Sequence, residues 1–189
     1  NVERVMEECL AIKPDLVFLW DEAWFAFARF GPTYRQRTAM NAANTLRERL
    51  RSPEQAEQWK RQHESLRDAD DETLLATRLV APPHARVRVY ATQSTHKTLT
   101  SLRQGSMIHV NDQDFKGQVE QSFHEAYMTH TSTSPNYQII ASLDVGRRQV
   151  ELEGFEFVQR QVEAAMAMRR AISTHPLLKK YFKVLAAGD

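Results

Sequence analysis

A lysine flanked by small hydroxyl residues and a histidine is the first feature of this chain that could do chemistry. The run reads Gln93-Ser94-Thr95-His96-Lys97 and follows a segment in which apolar and polar residues alternate. A crowded or buried amine loses part of its preference for the charged form, and a neutral amine can form a Schiff base. Hydroxyl and backbone N–H groups beside such an amine can hold a phosphate. The run therefore indicates covalent chemistry at the lysine with phosphate binding next to it.

A carboxylate at the end of an apolar run is the second such feature. Residues 16–20 read LVFLW, and Asp21 follows them directly. An unbroken apolar run of this length predicts a strand buried on both faces, typical of a parallel sheet covered by helices. Because ligands of open α/β sheets bind outside the carboxyl ends of the strands, Asp21 stands where chemistry is usually done.

Together, these residue types are the parts that a pyridoxal 5′-phosphate site needs. A carboxylate facing the pyridine nitrogen keeps the ring protonated and makes it an electron sink, while a lysine forms the Schiff base. Each residue also has an ordinary explanation: a turn or helix cap for Asp21, a solvated surface position for Lys97, and turn hydroxyls for Ser94 and Thr95. From these residues alone, cofactor binding is one interpretation among several.

The elements that must position these residues alternate between helices and strands. Apolar residues at helical spacing predict helices at the start of the chain, over 34–50, over 118–129 and in a long segment after Gly154. Strands are predicted at 16–20, 87–91 and 106–110. Ser52-Pro53 and Ser134-Pro135 are typical helix starts, with serine as N-cap and proline in the first turn. The predicted fold class is α/β, with a mainly parallel sheet flanked by helices.

Composition excludes several classes of protein. A length of 189 residues favours one domain, and 25 Lys+Arg against 24 Asp+Glu give a net charge of +1, which argues against nucleic-acid binding. No apolar run approaches the roughly 18–20 residues of a membrane helix. Cys9 is the single cysteine, so no internal disulfide forms, and a cytoplasmic location is expected. The seven histidines show no i, i+4 pair, so no metal site is expected.

Longer motifs carry a resemblance to a known family. They are Asp21 to Trp24 (DEAW), Gln93 to Thr100 (QSTHKTLT), Gln104 to Val110 (QGSMIHV), Phe123 to Pro135 (FHEAYMTHTSTSP) and Ile140 to Asp144 (IASLD). Together they closely resemble the bacterial ornithine/lysine/arginine decarboxylases, which are pyridoxal-phosphate enzymes of fold type I. The resemblance covers most of the chain and is weakest over residues 50–85. It implies part of an aspartate-aminotransferase-like large domain.

This resemblance implies a reaction and its partners. The expected activity is decarboxylation of a basic amino acid (lysine, ornithine or arginine) to an amine and CO₂, with pyridoxal 5′-phosphate as cofactor. Lys97 would carry the cofactor as an internal aldimine, and Asp21 would pair with the pyridine nitrogen. The expected partners are the small basic substrate and a second copy of the chain, in a homodimer or a higher homo-oligomer. Neither nucleic acid nor membrane is expected as a partner.

Further roles follow from the same resemblance. Ala23 would lie near the cofactor ring, and Trp24 near the path of the substrate. Ser94 and His96 would help to hold the phosphate. Ser132 would reach a phosphate across the dimer interface.

Residues 1–189 are therefore expected to be part of the cofactor-binding major domain. In the family, the phosphate-binding turn lies upstream of the aspartate strand, and a C-terminal small domain completes the mouth of the active site. Neither part is expected within these residues. We therefore expect the chain alone to be inactive or nearly so.

Two other interpretations remain open. Another fold-type-I enzyme, such as an aminotransferase, would use the same aspartate and lysine but would release a keto acid. A non-catalytic piece that serves packing or assembly would form no covalent bond at Lys97.

Overall fold

A computed structural model describes residues 1–185 of the chain. The helices are α1 (Val2–Ile12), α2 (Pro32–Arg35), α3 (Ala39–Leu50), α4 (Pro53–Ser65), α5 (Asp71–Ala76), α6 (Glu120–His130) and α7 (Tyr137–Thr174), and the strands are β1 (Val17–Asp21), β2 (Arg88–Ser94) and β3 (Ser106–Asp112). Short 3-10 helices lie at Ala26–Phe30 and Leu178–Lys180, and a π-helical turn lies at Phe115–Val119. The predicted α/β class is confirmed.

The sheet is mixed, and the prediction of a mainly parallel sheet is wrong. Its strand order is β1-β2-β3, with β2 parallel to β1 and antiparallel to β3. Parallel neighbours need a crossover of about a dozen residues or more, usually containing a helix. Residues 22–87 supply that crossover between β1 and β2, whereas residues 95–105 between β2 and β3 contain no helix. The short connection makes β3 return antiparallel.

The core lies between the sheet and two helices that cover one of its faces. Met6 and Leu10 of α1 and Leu46 and Leu50 of α3 are almost fully buried. They form one cluster with the buried sheet residues Val87, Val89 and Ala91. Each large side chain buried in this way stabilises the fold by about 1.5–3 kcal/mol. The helix α3 is thereby fixed against the sheet, which matters for the site described below.

The strand β1 lies at an edge of the sheet and is buried on one face. Phe18 is buried, but Leu19 is 72% exposed. The expected burial on both faces is therefore wrong within residues 1–185. The reason is that, within residues 1–185, β1 pairs with β2 alone, and the core helices α1 and α3 pack against the face that carries Phe18.

The long helix α7 begins later than Ser134-Pro135 predicts, and it continues through Gly154. Asn136 is its N-cap, because Asn136 Oδ1 accepts from the backbone N–H groups of Gln138 and Ile139 in the first turn. Gly154 lies inside the helix, where a Cβ atom would come within 2.5 Å of the ring of Phe30. Glycine here permits close packing and does not end the helix. Although α7 has 38 residues, no helix within residues 1–185 is long and apolar enough to cross a membrane.

Candidate active site

The parallel pairing of β1 and β2 brings two of the predicted site segments to one edge of the sheet. Asp21 is opposite Thr92 in the register. Beyond the strand the segments stay together, because Glu22 N donates to Thr92 O at 2.9 Å and Ser94 N donates to Ala23 O at 3.3 Å. The structure therefore brings Asp21, Ala23 and Ser94 together, as expected for the carboxyl ends of neighbouring parallel strands.

Asp21 presents an exposed carboxylate at this edge. Its Oδ1 accepts a hydrogen bond from Ala23 N at 3.0 Å, which shapes the turn after β1. Asp21 also lines an open cleft of about 1060 Å³ together with Trp20, Arg37 and Asn41. A ligand in this cleft can reach the carboxylate.

Lys97 lies in the loop after β2 and contacts the segment after β1. Its Nζ is 5.3 Å from the centroid of the Trp24 ring, within the range of a cation–π interaction. Both side chains are exposed. Lys97 does not line the cleft beside Asp21. The structure therefore brings Lys97 next to Trp24, and through it next to the β1 end of the site.

The loop 95–105 is closed by hydrogen bonds to its own backbone. Thr95 N donates to Gly105 O at 3.2 Å, and Ser101 donates to Thr95 O from both its N and its Oγ, at 3.2 and 2.7 Å. A Cβ atom at Gly105 would lie 2.4 Å from Thr95 Oγ1, so a larger residue does not fit there. Gln104 precedes it with a φ of 85°, in the left-handed region. These contacts hold the backbone on both sides of the lysine.

His96 supports the same loop. Its Nδ1 is 3.1 Å from Gly105 O. Because a carbonyl oxygen only accepts, Nδ1 carries the proton in this contact. The other ring nitrogen, Nε2, can then donate to a phosphate only when the imidazole is positively charged. The phosphate role that the resemblance implies for His96 thus requires the imidazolium form.

A buried hydroxyl group beside Lys97 supplies a test of whether the residues fit a phosphate-bearing cofactor. Thr98 Oγ1 is buried and has no hydrogen-bond partner within residues 1–185. A buried polar atom without a partner costs about 1–3 kcal/mol, and an acceptor oxygen of a bound phosphate would remove that cost. Thr95 Oγ1 also has no partner within residues 1–185, but Thr95 lines a separate cavity that neither Asp21 nor Lys97 lines. With the amine of Lys97 and the carboxylate of Asp21, the Thr98 hydroxyl fits the groups that pyridoxal 5′-phosphate needs.

The hydrogen bond of Ser132 is a local one and does not connect it to this sheet edge. It is exposed in the loop between α6 and α7, and its Oγ accepts from Ser134 N at 3.1 Å. Within residues 1–185, no hydrogen bond joins Ser132 to Asp21, Ser94 or Lys97. Its expected role involves a second subunit and stays a prediction.

A buried polar network lies directly behind the strand ends. Glu22 Oε1 accepts from Ala39 N at 2.6 Å, and Glu22 Oε2 accepts from Gln93 Nε2 at 3.0 Å. Gln93 Oε1 lies 3.1 Å from His109 Nε2, which must donate because the amide oxygen only accepts. No role for Glu22 follows from the residue types and motifs of the sequence. One signal was available, since successive side chains of an extended segment point to opposite sides, so that an exposed Asp21 predicts a buried Glu22.

A cavity of about 680 Å³ lies next to this network. Apolar side chains such as Phe30, Leu99 and Leu143 line most of it, and Thr95 and His109 add polar groups. Neither Asp21 nor Lys97 lines it.

Comparisons with known proteins define the family to which this chain belongs. Residues 74–186 match the family described as Orn/Lys/Arg decarboxylase, major domain. Lys97 and Ser132 lie inside the matched range, whereas Asp21 lies before it. The chain belongs to the Orn/Lys/Arg decarboxylase family.

Individual relatives agree with this family. The chain is 32% identical to the lysine decarboxylase LdcA of Pseudomonas aeruginosa over 158 residues, which cover 83% of this chain and 16% of the relative. It is 31% identical to the biodegradative arginine decarboxylase of Escherichia coli, covering 82% of this chain and 16% of that protein. It is 43% identical to the inducible lysine decarboxylase of Escherichia coli over 86 residues, covering 44% and 11%. The chain thus spans about a sixth or less of the length of these relatives.

A solved structure supports the fold. The lysine decarboxylase LdcF of Francisella novicida superposes with a TM-score of 0.53 and 24% identity, covering 88% of this chain and 17% of the other. This likeness shows that the arrangement of helices and strands is shared with part of a decarboxylase.

Proposed function

We propose that this chain supplies the lysine and the aspartate of a pyridoxal-phosphate site that decarboxylates a basic amino acid, either lysine, ornithine or arginine. The observation that carries the proposal is the parallel pairing of Asp21 with Thr92 in β1 and β2. This pairing, with the contact between Lys97 and Trp24, gathers the aspartate and the lysine segments at one sheet edge. The names of the relatives, which are lysine, arginine and ornithine decarboxylases, support the substrate class.

Each of the main residues has one task in this proposal. Lys97 would hold the cofactor covalently through Nζ, and Trp24 would orient that amine from the β1 side. The carboxylate of Asp21 would hold a proton on the pyridine nitrogen, and the small side chain of Ala23 would leave room for the ring. When bound, the cofactor supplies the electron sink that makes loss of CO₂ feasible.

The phosphate is assigned to hydroxyl and imidazole groups. Ser94 and a positively charged His96 would hold it from this chain. Ser132 of a second copy would reach it across a dimer interface, so a homodimer or larger homo-oligomer is part of the proposal. The cytoplasmic location expected from the single cysteine also stays a prediction.

Decarboxylation needs more than these residues supply. The relatives are at least about six times longer than the part that matches this chain, and their remaining residues are available to complete the site. We therefore propose that residues 1–189 alone do not sustain turnover, although they can bind the cofactor.

The test of this function is product analysis on the protein in the form that its own cells produce. Lysine, ornithine and arginine are each supplied with pyridoxal 5′-phosphate, and CO₂, amine and keto acid are measured. The amine and CO₂ are expected in equal amounts, and Lys97→Arg should abolish both. A keto acid in place of CO₂ would establish an aminotransferase, and no turnover with any of the three substrates would favour an assembly role.

A further inference from the structure

Two buried polar side chains join the ends of the strands that carry the candidate site. Glu22, 6% exposed, follows Asp21 directly, and Gln93, 9% exposed, directly precedes Ser94. We propose that the Glu22–Gln93 pair is a positioning device that sets the spacing between the Asp21 turn and the loop of Lys97. This inference rests on the proposed function, because it concerns the same site.

The carboxylate at position 22 fixes the Asp21 turn to the core. Glu22 Oε1 accepts from Ala39 N, the first backbone N–H of α3, at 2.6 Å. The N-terminus of a helix carries a partial positive charge, which stabilises a carboxylate there. Because α3 is packed in the core through residues such as Leu46, the turn after β1 cannot move without breaking this contact.

The hydrogen bonds to Glu22 and to His109 require an amide at position 93. Gln93 donates from Nε2 to Glu22 and accepts on Oε1 from His109 Nε2 of β3. A carboxylate at position 93 could not donate to Glu22, and an apolar residue would leave Glu22 Oε2 without a partner in a buried place. The pair therefore ties β1, β2, β3 and α3 at one point.

The exposed site residues need such support because they have few contacts of their own. Asp21 is bonded through Ala23 N, and Lys97 contacts Trp24. Catalytic groups must be held to within about 0.5 Å, and misplacement by about 1 Å can cost about a hundredfold in rate. The backbone that carries Asp21 and Lys97 is held by the buried pair behind it.

The test exchanges the two side chains. In Glu22→Gln the amide cannot offer two acceptor oxygens, and in Gln93→Glu two carboxylates face each other. In the double variant E22Q/Q93E the bonds can re-form: the amide at position 22 accepts from Ala39 N and donates to the carboxylate at position 93, which also accepts from His109. If the two substitutions only lowered the stability of the fold, the double variant would not recover.

Two readouts are taken on the full chain. The first is hydrogen exchange of peptides covering residues 17–25 and 88–98, which needs no cofactor. The second is the amount of pyridoxal phosphate fixed to Lys97 by borohydride, relative to the amount fixed to the exposed Lys60. Each single variant is expected to speed exchange in both segments and to lower labelling of Lys97 about tenfold. The double variant is expected to restore both readouts.

Gln62→Glu is the matched control. Gln62 bonds the backbone at Arg78 and Val80, away from the sheet edge, so it should leave both readouts unchanged. Single variants with unchanged exchange would overturn the inference, as would a double variant that fails to recover or to fold. If the unmodified chain does not prefer Lys97 over Lys60, the proposed cofactor site fails, while hydrogen exchange still decides the positioning role.

Discussion

The ammonium group of Lys97 lies 5.3 Å from the centroid of the Trp24 indole ring. The two residues follow different strands, Trp24 after β1 and Lys97 after β2, and both are exposed. In the sequence the two residues belong to separate motifs, Trp24 to DEAW and Lys97 to QSTHKTLT. Their contact is therefore a direct link between the two halves of the candidate site.

This link should be measurable as a coupling free energy. A double-mutant cycle of Trp24→Leu and Lys97→Met, followed by urea unfolding, is expected to give about 0.5–1 kcal/mol, the usual size of an exposed cation–π contact. The same cycle of Trp24→Leu with Lys60→Met should give zero to within about 0.3 kcal/mol. An equal coupling for both lysines would contradict the contact.

The carboxylate charge of Asp21 should matter for cofactor binding without mattering for the fold. Asp21→Asn keeps the oxygen that accepts from Ala23 N, so the turn is expected to survive. It removes the charge that would face the pyridine nitrogen, which should weaken pyridoxal-phosphate binding by about 10- to 100-fold, as for loss of a charged hydrogen bond of about 1.5–3 kcal/mol. Absorbance titration of the chain measures this. Asp15→Asn, which breaks an exposed ion pair with Lys13 before β1, is the control and should bind normally.

Tyr90 predicts an alkaline limit to stability. Burial raises the pKa of Tyr90 to about 12, helped by its hydrogen bond to the Asp112 carboxylate at 2.7 Å and by the negative charge of that group. Because the folded pKa lies above the unfolded value of about 10, the stabilisation is complete below about pH 10 and is lost as pH rises to about 12.

Comparison with Tyr90→Phe isolates this effect. The variant lacks the hydrogen bond and should be less stable by about 1.5–3 kcal/mol at neutral pH. The gap should then close between about pH 10 and pH 12, as followed by urea unfolding. A gap that stays constant through that window would show that Tyr90 does not titrate as the structure indicates.

The packing of α7 against Phe30 depends on a glycine, which has no Cβ atom, at position 154. Alanine normally favours a helix over glycine by about 1 kcal/mol. Gly154→Ala should nevertheless destabilise the chain by about 1–3 kcal/mol, because the new Cβ would meet Phe30 at 2.5 Å. Gly117→Ala, whose new Cβ would have no atom of residues 1–185 within 4 Å, should be neutral or slightly stabilising when both variants are compared by thermal unfolding. Adding Phe30→Ala should relieve the clash, and a stabilising Gly154→Ala would rule it out.

Features that depend on neighbouring residues were predictable from the sequence. Ser52 caps α4, because its Oγ accepts from Gln55 N at 3.2 Å, as the Ser-Pro pattern predicts. The strands around residues 17–21 and 88–94 were also predictable from their apolar patterns. The side chain of Gln55 in the same turn, in contrast, donates to Ala81 O at 3.1 Å, 26 residues further along the chain. Local pattern cannot reveal such a distant carbonyl.

The parts of the site that the sequence did not predict depend on distant partners. Glu22 finds Gln93 only because the 70 intervening residues, 23–92, return the chain parallel to β1. The direction of β3 follows from the absence of a helix in residues 95–105, which apolar pattern alone does not determine. Motif resemblance located Asp21 and Lys97, whereas their support in Glu22 and Gln93 required the fold.

The most direct test of the central claim is to map the lysine that binds the cofactor. The chain is incubated with pyridoxal 5′-phosphate and reduced with borohydride, and its intact mass and peptides are then measured. One phosphopyridoxyl group per chain is expected, on Lys97, absent in Lys97→Arg and retained in Lys60→Arg. Modification spread evenly over the lysines, or a Lys97 left unmodified, would contradict the assignment of this sheet edge as a cofactor site.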